Sequence, residues 1–79
     1  MNIREKVYEI IQNLCGKSNV MLNNELQKDL GLDSLMLVSL LIEIEEVFSI
    51  ELDESDMNPF ELLIVGDVIE LVERYVEIE

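Results

Sequence analysis

The segment 34–48 carries more apolar residues than one helix face can hold. At about 100° per residue, Leu37, Leu40, Leu41, Ile44 and Phe48 form one stripe, opposite Ser39, Glu43 and Glu46. Leu35, Val38 and Ile42 form a second stripe beside Glu45, and Met36 stands alone near the polar side. A helix that is apolar on several sides is either deeply buried or presents an interaction surface. A chain of 79 residues buries only a modest fraction of its surface and has little spare interior. The first stripe is therefore assigned to the core, and the second to a partner. The competing reading packs Val38 and Ile42 under neighbouring loops.

The start of this helix holds the densest chemistry in the chain. Asp33 or Ser34 can cap it, because a side-chain oxygen there accepts from an unpaired amide of the first turn. Gly31 suits a turn that needs unusual backbone angles. Ser34 is then displayed at a helix tip, where partial positive charge favours an anion joined to its hydroxyl.

The remaining chain supplies three more amphipathic segments. Ile3, Val7, Ile10, Ile11 and Leu14 make one stripe over 2–14, with Arg4, Glu5, Glu9 and Gln12 on the other side and Gly16 as the C-cap. Residues 17–32 have no sustained period and read as a long ordered loop, with turns at Asn19, Asn23 and Asn24, pinned by Leu22, Leu26 and Leu30. After a polar connection, residues 59–63 read as a short third helix with Phe60 and Leu63 inward. Residues 67–76 bury Val68, Leu71, Val72 and Tyr75 and turn Glu70, Glu73, Arg74 and Glu77 to water. No strand pattern is present. The expected architecture is all-α: one domain over residues 1–79, a four-helix bundle with a long first loop and a short third helix.

Charge and composition exclude several functions. Eighteen acidic residues against five basic ones leave a net charge of −13. Such a surface repels nucleic acid and anionic membranes and attracts basic patches on proteins. There is no histidine, so the commonest general base and metal ligand is missing. An EF-hand starting at Asp53 would need glycine at Asn58 and glutamate at Ile64, and no metal site is expected. Cys15 is the one cysteine and has only Lys17 near it, so a reactive thiol is not expected. The amphipathic start with Arg4, Glu5 and Lys6 is no signal peptide, and no apolar run is long enough to span a bilayer. The expected setting is the cytoplasm.

Gly31-Leu32-Asp33-Ser34-Leu35 resembles the G-x-D-S-L motif of acyl carrier proteins. Phe48 at the end of the same helix and Val65-Gly66-Asp67 at the start of the last match further positions of that family. The likeness runs from about residue 26 to residue 76, and three linked matches are far more specific than D-S-L alone. The resemblance implies a 4′-phosphopantetheine arm on Ser34, flanked by Asp33 and Leu35, with acyl groups carried on its thiol. It implies that the helix after the serine is the recognition element, so Leu35, Met36, Val38, Ser39, Ile42 and Glu45 are the expected partner-binding residues. The implied partners are a phosphopantetheinyl transferase and acyl-loading, condensing or other thioester-processing enzymes with basic patches, met by a monomer. Met36 stands where fatty-acid carriers usually have aspartate, and Ser39 where they often have glutamate. In that respect the helix resembles carriers of polyketide and nonribosomal peptide pathways.

The expected function is that of an acyl carrier protein of a fatty acid or polyketide-type pathway. One alternative is a peptidyl or aminoacyl carrier, though Leu32 stands where those often have a second glycine. Another is an acidic helical adaptor in which Ser34 is a plain cap. A hydrolase using Ser34 is poorer still, since a serine nucleophile needs a base and only Lys28 is near in sequence. No catalytic residue is expected.

Overall fold

In the computed structural model residues 2–78 are described, with the side chains of Pro59, Glu77 and Ile78 excepted. The solvent-facing role expected of Glu77 thus lies outside the described residues. Three α-helices carry the fold: α1 (Ile3–Cys15), α2 (Ser34–Phe48) and α3 (Val65–Ile78). No strand forms among the described residues, and one isolated antiparallel bridge pairs Glu25 with Ile64.

Local chemistry sets the helix ends. The Asn2 side chain accepts from the Arg4 amide and starts α1, and Gly16 ends it at φ 73. This is the left-handed conformation in which glycine avoids the strain of a Cβ. α2 ends on Ser49 at φ 53, a costlier choice for a residue with a side chain. The Ser49 amide still closes the last turn by donating to the Glu45 carbonyl. α2 spans the residues that its apolar pattern predicts.

The core is a single cluster. Val7, Ile10 and Ile11 of α1 meet Leu37, Leu40, Leu41 and Ile44 of α2 and Val68, Ile69, Leu71 and Val72 of α3. Leu26, Leu30 and Leu32 enter it from the loop. Each such side chain, fully buried, contributes about 1.5–3 kcal/mol. Phe48 and Tyr75 lie at the edge of this cluster rather than inside it.

The third helix is where the structure departs most from the sequence pattern. Two 3-10 turns, Glu54–Asp56 and Pro59–Glu61, take its place. Phe60 and Leu63, expected inward, are 71% and 66% exposed, and Leu62 is buried between them. The reason is backbone pairing. The Leu63 carbonyl accepts from the Leu26 amide at 2.9 Å. A chain held extended there turns neighbouring side chains to opposite faces, whereas a helix would group them. α3 also starts at Val65, two residues before the expected Asp67.

Candidate functional site

Ser34 is the first residue of α2 and is exposed. Asp33 caps the helix: its Oδ1 accepts from the Met36 amide at 2.8 Å, and its carbonyl accepts from the Leu37 amide at 3.0 Å. The cap leaves the amides of Ser34 and Leu35 with no hydrogen-bond partner among the described residues. They are the orphan donors of a helix start, and their field favours an anion on the adjacent hydroxyl.

The loop before Ser34 is tightly folded. The amides of Asp29 and Leu30 both donate to the Glu25 carbonyl, at 2.9 and 3.1 Å. The Gly31 amide donates to the Gln27 carbonyl at 3.1 Å, and the Leu32 amide to the Leu26 carbonyl at 2.9 Å. Gly31 takes φ 70, which lets the chain reverse here into the start of α2. From outside, Lys17 Nζ donates to the Asp29 carbonyl at 2.6 Å, tying the loop to the end of α1.

The loop is also joined to α3. The amides of Val65 and Gly66 donate to the carbonyls of Asn24 and Leu22, at 3.1 and 2.9 Å. Ile64 has no side chain able to cap α3, and these loop carbonyls take over that task. Asp67 Oδ2 accepts from the amides of Leu63 and Ile64, at 3.0 and 3.1 Å. That is the acidic half of a capping box, without the hydroxyl half.

Leu35 is 76% exposed and Ile42 47%, with Val38 half-buried between them and Ser39 exposed. Met36, read from the sequence as standing near the polar side, packs half-buried against the core. Glu45 is half-buried, and its Oε2 accepts from the Leu52 amide at 2.8 Å, so part of its carboxylate is already engaged. Val47 is a further exposed apolar residue of α2 and belongs to neither stripe.

Leu37 and Leu41 are completely buried, which makes them core. A groove of about 780 Å³ lies among acidic residues from Glu51 to Asp56 and is closed by Arg74 and Tyr75. Leu52 ties it to Glu45, toward the C-terminal end of α2. A separate groove of about 260 Å³ lies between the loop and the second 3-10 turn. No cluster of three or more metal-ligating side chains occurs among the described residues. No helix among them is long and apolar enough to cross a membrane.

Phosphopantetheine suits Ser34 on chemical grounds. Ser34 is exposed, and its own amide and that of Leu35 are left unpaired at the helix tip, where an anion is favoured. Known proteins resemble this chain over most of its length. Residues 5–72 match the family described as "Phosphopantetheine attachment site". An acyl carrier protein of Phytoplasma mali is 35% identical over 77 residues, covering 95% of this chain and 89% of the relative. One from Nitratidesulfovibrio vulgaris is 38% identical, covering 91% and 95%. A solved structure from Mycobacterium tuberculosis, provisionally described as an acyl carrier protein, superposes with a TM-score of 0.81. Its sequence identity is 32%, over 91% of this chain and 96% of that one.

Proposed function

This chain belongs to the phosphopantetheine attachment family, as a carrier and not a catalyst, and from that premise we propose that Ser34 is its attachment point. The observation that supports the assignment is the exposed Ser34 hydroxyl on the first residue of α2, with Asp33 already committed as the cap. In the loading reaction Ser34 Oγ attacks the pyrophosphate phosphorus next to the pantetheine of coenzyme A. The Oγ–P bond forms, and the bond from that phosphorus to the bridging oxygen breaks. Adenosine 3′,5′-bisphosphate leaves, and the hydroxyl proton passes to a base of the transferase. The chain itself has no histidine to take it. When bound, the arm supplies a thiol that holds an acyl group as a thioester.

The partners are a phosphopantetheinyl transferase and acyl-processing enzymes. Leu35, Val38 and Ile42 are assigned to the short-range contact, with Ser39 beside them and Met36 and Glu45 at its margins. The net charge of −13 attracts basic patches on those enzymes. Fast, weak encounters suit a monomer that visits several enzymes in turn. The cytoplasm fits a chain with one half-buried cysteine and no disulfide. We assign acyl cargo of a fatty acid or polyketide-type pathway. Leu32 supports this, being almost completely buried beneath the motif at a position where peptidyl carriers often have glycine.

Intact mass tests the assignment. Incubation with coenzyme A and a promiscuous transferase adds one arm to the wild-type chain and none to Ser34→Ala. A wild-type chain that stays unmodified while folded would return Ser34 to the role of a plain helix-start residue in an acidic adaptor.

A further inference from the structure

The stretch 27–33, which delivers Ser34, bonds almost entirely to itself. Its backbone hydrogen bonds close within 25–37: Asp29 and Leu30 to Glu25, Gly31 to Gln27, Leu32 to Leu26, and Leu37 to Asp33. The side chains of Asp29 and Asp33 stay as local, accepting from the amides of Glu25 and Met36. Leu30 and Leu32 sink the stretch into the core, but apolar burial is non-directional and fixes depth more than orientation. Among the described residues, one hydrogen bond reaches 27–33 from elsewhere in the chain: Lys17 Nζ to the Asp29 carbonyl, at 2.6 Å.

Lys17 is itself firmly seated. Both of its neighbours are bonded to Gln12 of α1. The Gly16 amide donates to the Gln12 carbonyl at 2.9 Å, and Gln12 Nε2 donates to the Ser18 carbonyl at 3.0 Å. With the backbone held on both sides, only the lysine side chain remains to be ordered when the bond forms. The acceptor suits a cation as well. The Asp29 carbonyl is among the last of a turn that Gly31 closes at φ 70, a place where a lysine ammonium is favoured.

We propose that Lys17 is a positioning residue for the loading of Ser34. From the end of α1 it holds the turn before Asp33 in the orientation that the transferase accepts. The proposal rests on the assignment of Ser34 as the attachment point. Loss of the tie leaves α2 capped by Asp33 and lets the turn sample other orientations. With about a third of the molecules still competent, the transferase binds about threefold more weakly, and the step at Ser34 Oγ is untouched. Charge alone acts in the opposite sense. A chain that loses a lysine is more negative and attracts a basic partner more strongly.

Steady-state loading by coenzyme A and a promiscuous transferase, read by intact mass on chains shown to be folded, tests this. Lys17→Met keeps the length and loses the donor. It is expected to raise KM for the carrier about threefold at unchanged kcat, and Lys17→Arg to restore most of the loss. Lys28→Met removes the same charge from within the loop, where Lys28 makes no hydrogen bond or ion pair among the described residues. Its KM is expected not to rise. Gln12→Ala should raise KM in the parent chain and add nothing in Lys17→Met, because the two act through one tie. A Lys17→Met chain with the parent's KM, a loss carried by kcat alone, or an equal rise in Lys28→Met overturns the positioning role while the Ser34 assignment stands. A parent chain that takes no arm sinks that assignment, and this proposal with it.

Discussion

Tyr75 shows how one side chain can hold a segment that lacks regular structure. Its hydroxyl donates to Asp56 Oδ2 and accepts from the Asp53 amide at 2.8 Å, so α3 grips the first 3-10 turn. Arg74 lies 3.8 Å from the other oxygen of Asp56 and adds little at that separation on an exposed side chain. The hydrogen bond to Asp56, and then burial, raise the Tyr75 pKa above its ordinary 10.0. The sign follows from the form that is favoured. The neutral phenol is the donor, so its stabilisation is complete below pH 10 and fades as pH rises through the raised value. Tyr75→Phe should lower stability by about 1.5 kcal/mol at pH 7, the lower end for a bond to a charged group, because the site is half-exposed. Thermal melts of both proteins from pH 7 to 11 check this, because the gap between them should close above pH 10. A gap that persists unchanged to pH 11 would mean that the ring's packing, and not its hydroxyl, holds the segment.

At the scale of elements, α1 and α2 were readable from apolar spacing, because their burial depends on a 3.6-residue period that any sequence displays. The start of α2 was readable too, since Asp33, Ser34 and the helix they start are local. The segment 57–66 was not. Its course depends on Leu26, Asn24 and Leu22, which lie some forty positions earlier and bond through backbone atoms that no side-chain pattern encodes. For that reason the sequence pattern alone points Phe60 and Leu63 inward and starts α3 two residues late. The same pairing makes a prediction about caps. A threonine at an empty N-cap ordinarily adds about 1 kcal/mol. The Gly66 amide that it would serve already donates to the Leu22 carbonyl. Ile64→Thr should therefore change urea stability by less than about 0.5 kcal/mol, well below the ordinary value of a new cap. Asp67→Ala, which strips the acceptor from two amides at once, should cost about 1–2 kcal/mol. A threonine variant stabilised by the full ordinary amount would show that the loop carbonyls do not satisfy this helix end in solution.

For the molecule as a whole, the charge that we propose steers partners works against the fold. Eighteen acidic side chains share a small surface with five basic ones, and the described residues include a single ion pair, Arg74 with Asp56. Like charges kept close in the native state move apart on unfolding, so the repulsion is a direct cost to stability. Salt shortens the range of that repulsion, from a Debye length of about 30 Å at 0.01 M to about 8 Å at 0.15 M. The chain measures 32 × 26 × 19 Å, so at low salt nearly every acid feels every other, and at physiological salt only its neighbours. Relief of about 1 kcal/mol would raise the melting temperature of a domain this size by roughly 4–8 °C. Melts in sodium chloride between these two concentrations should show that rise. The same salt should slow association with a basic partner, because screening acts on both through the same charges. Opposite salt trends in stability and in association rate are therefore the signature of a surface shaped for encounter more than for its own folding. A melting temperature flat in salt would mean that the acids are spaced widely enough to ignore one another, and steering by net charge would then have little basis.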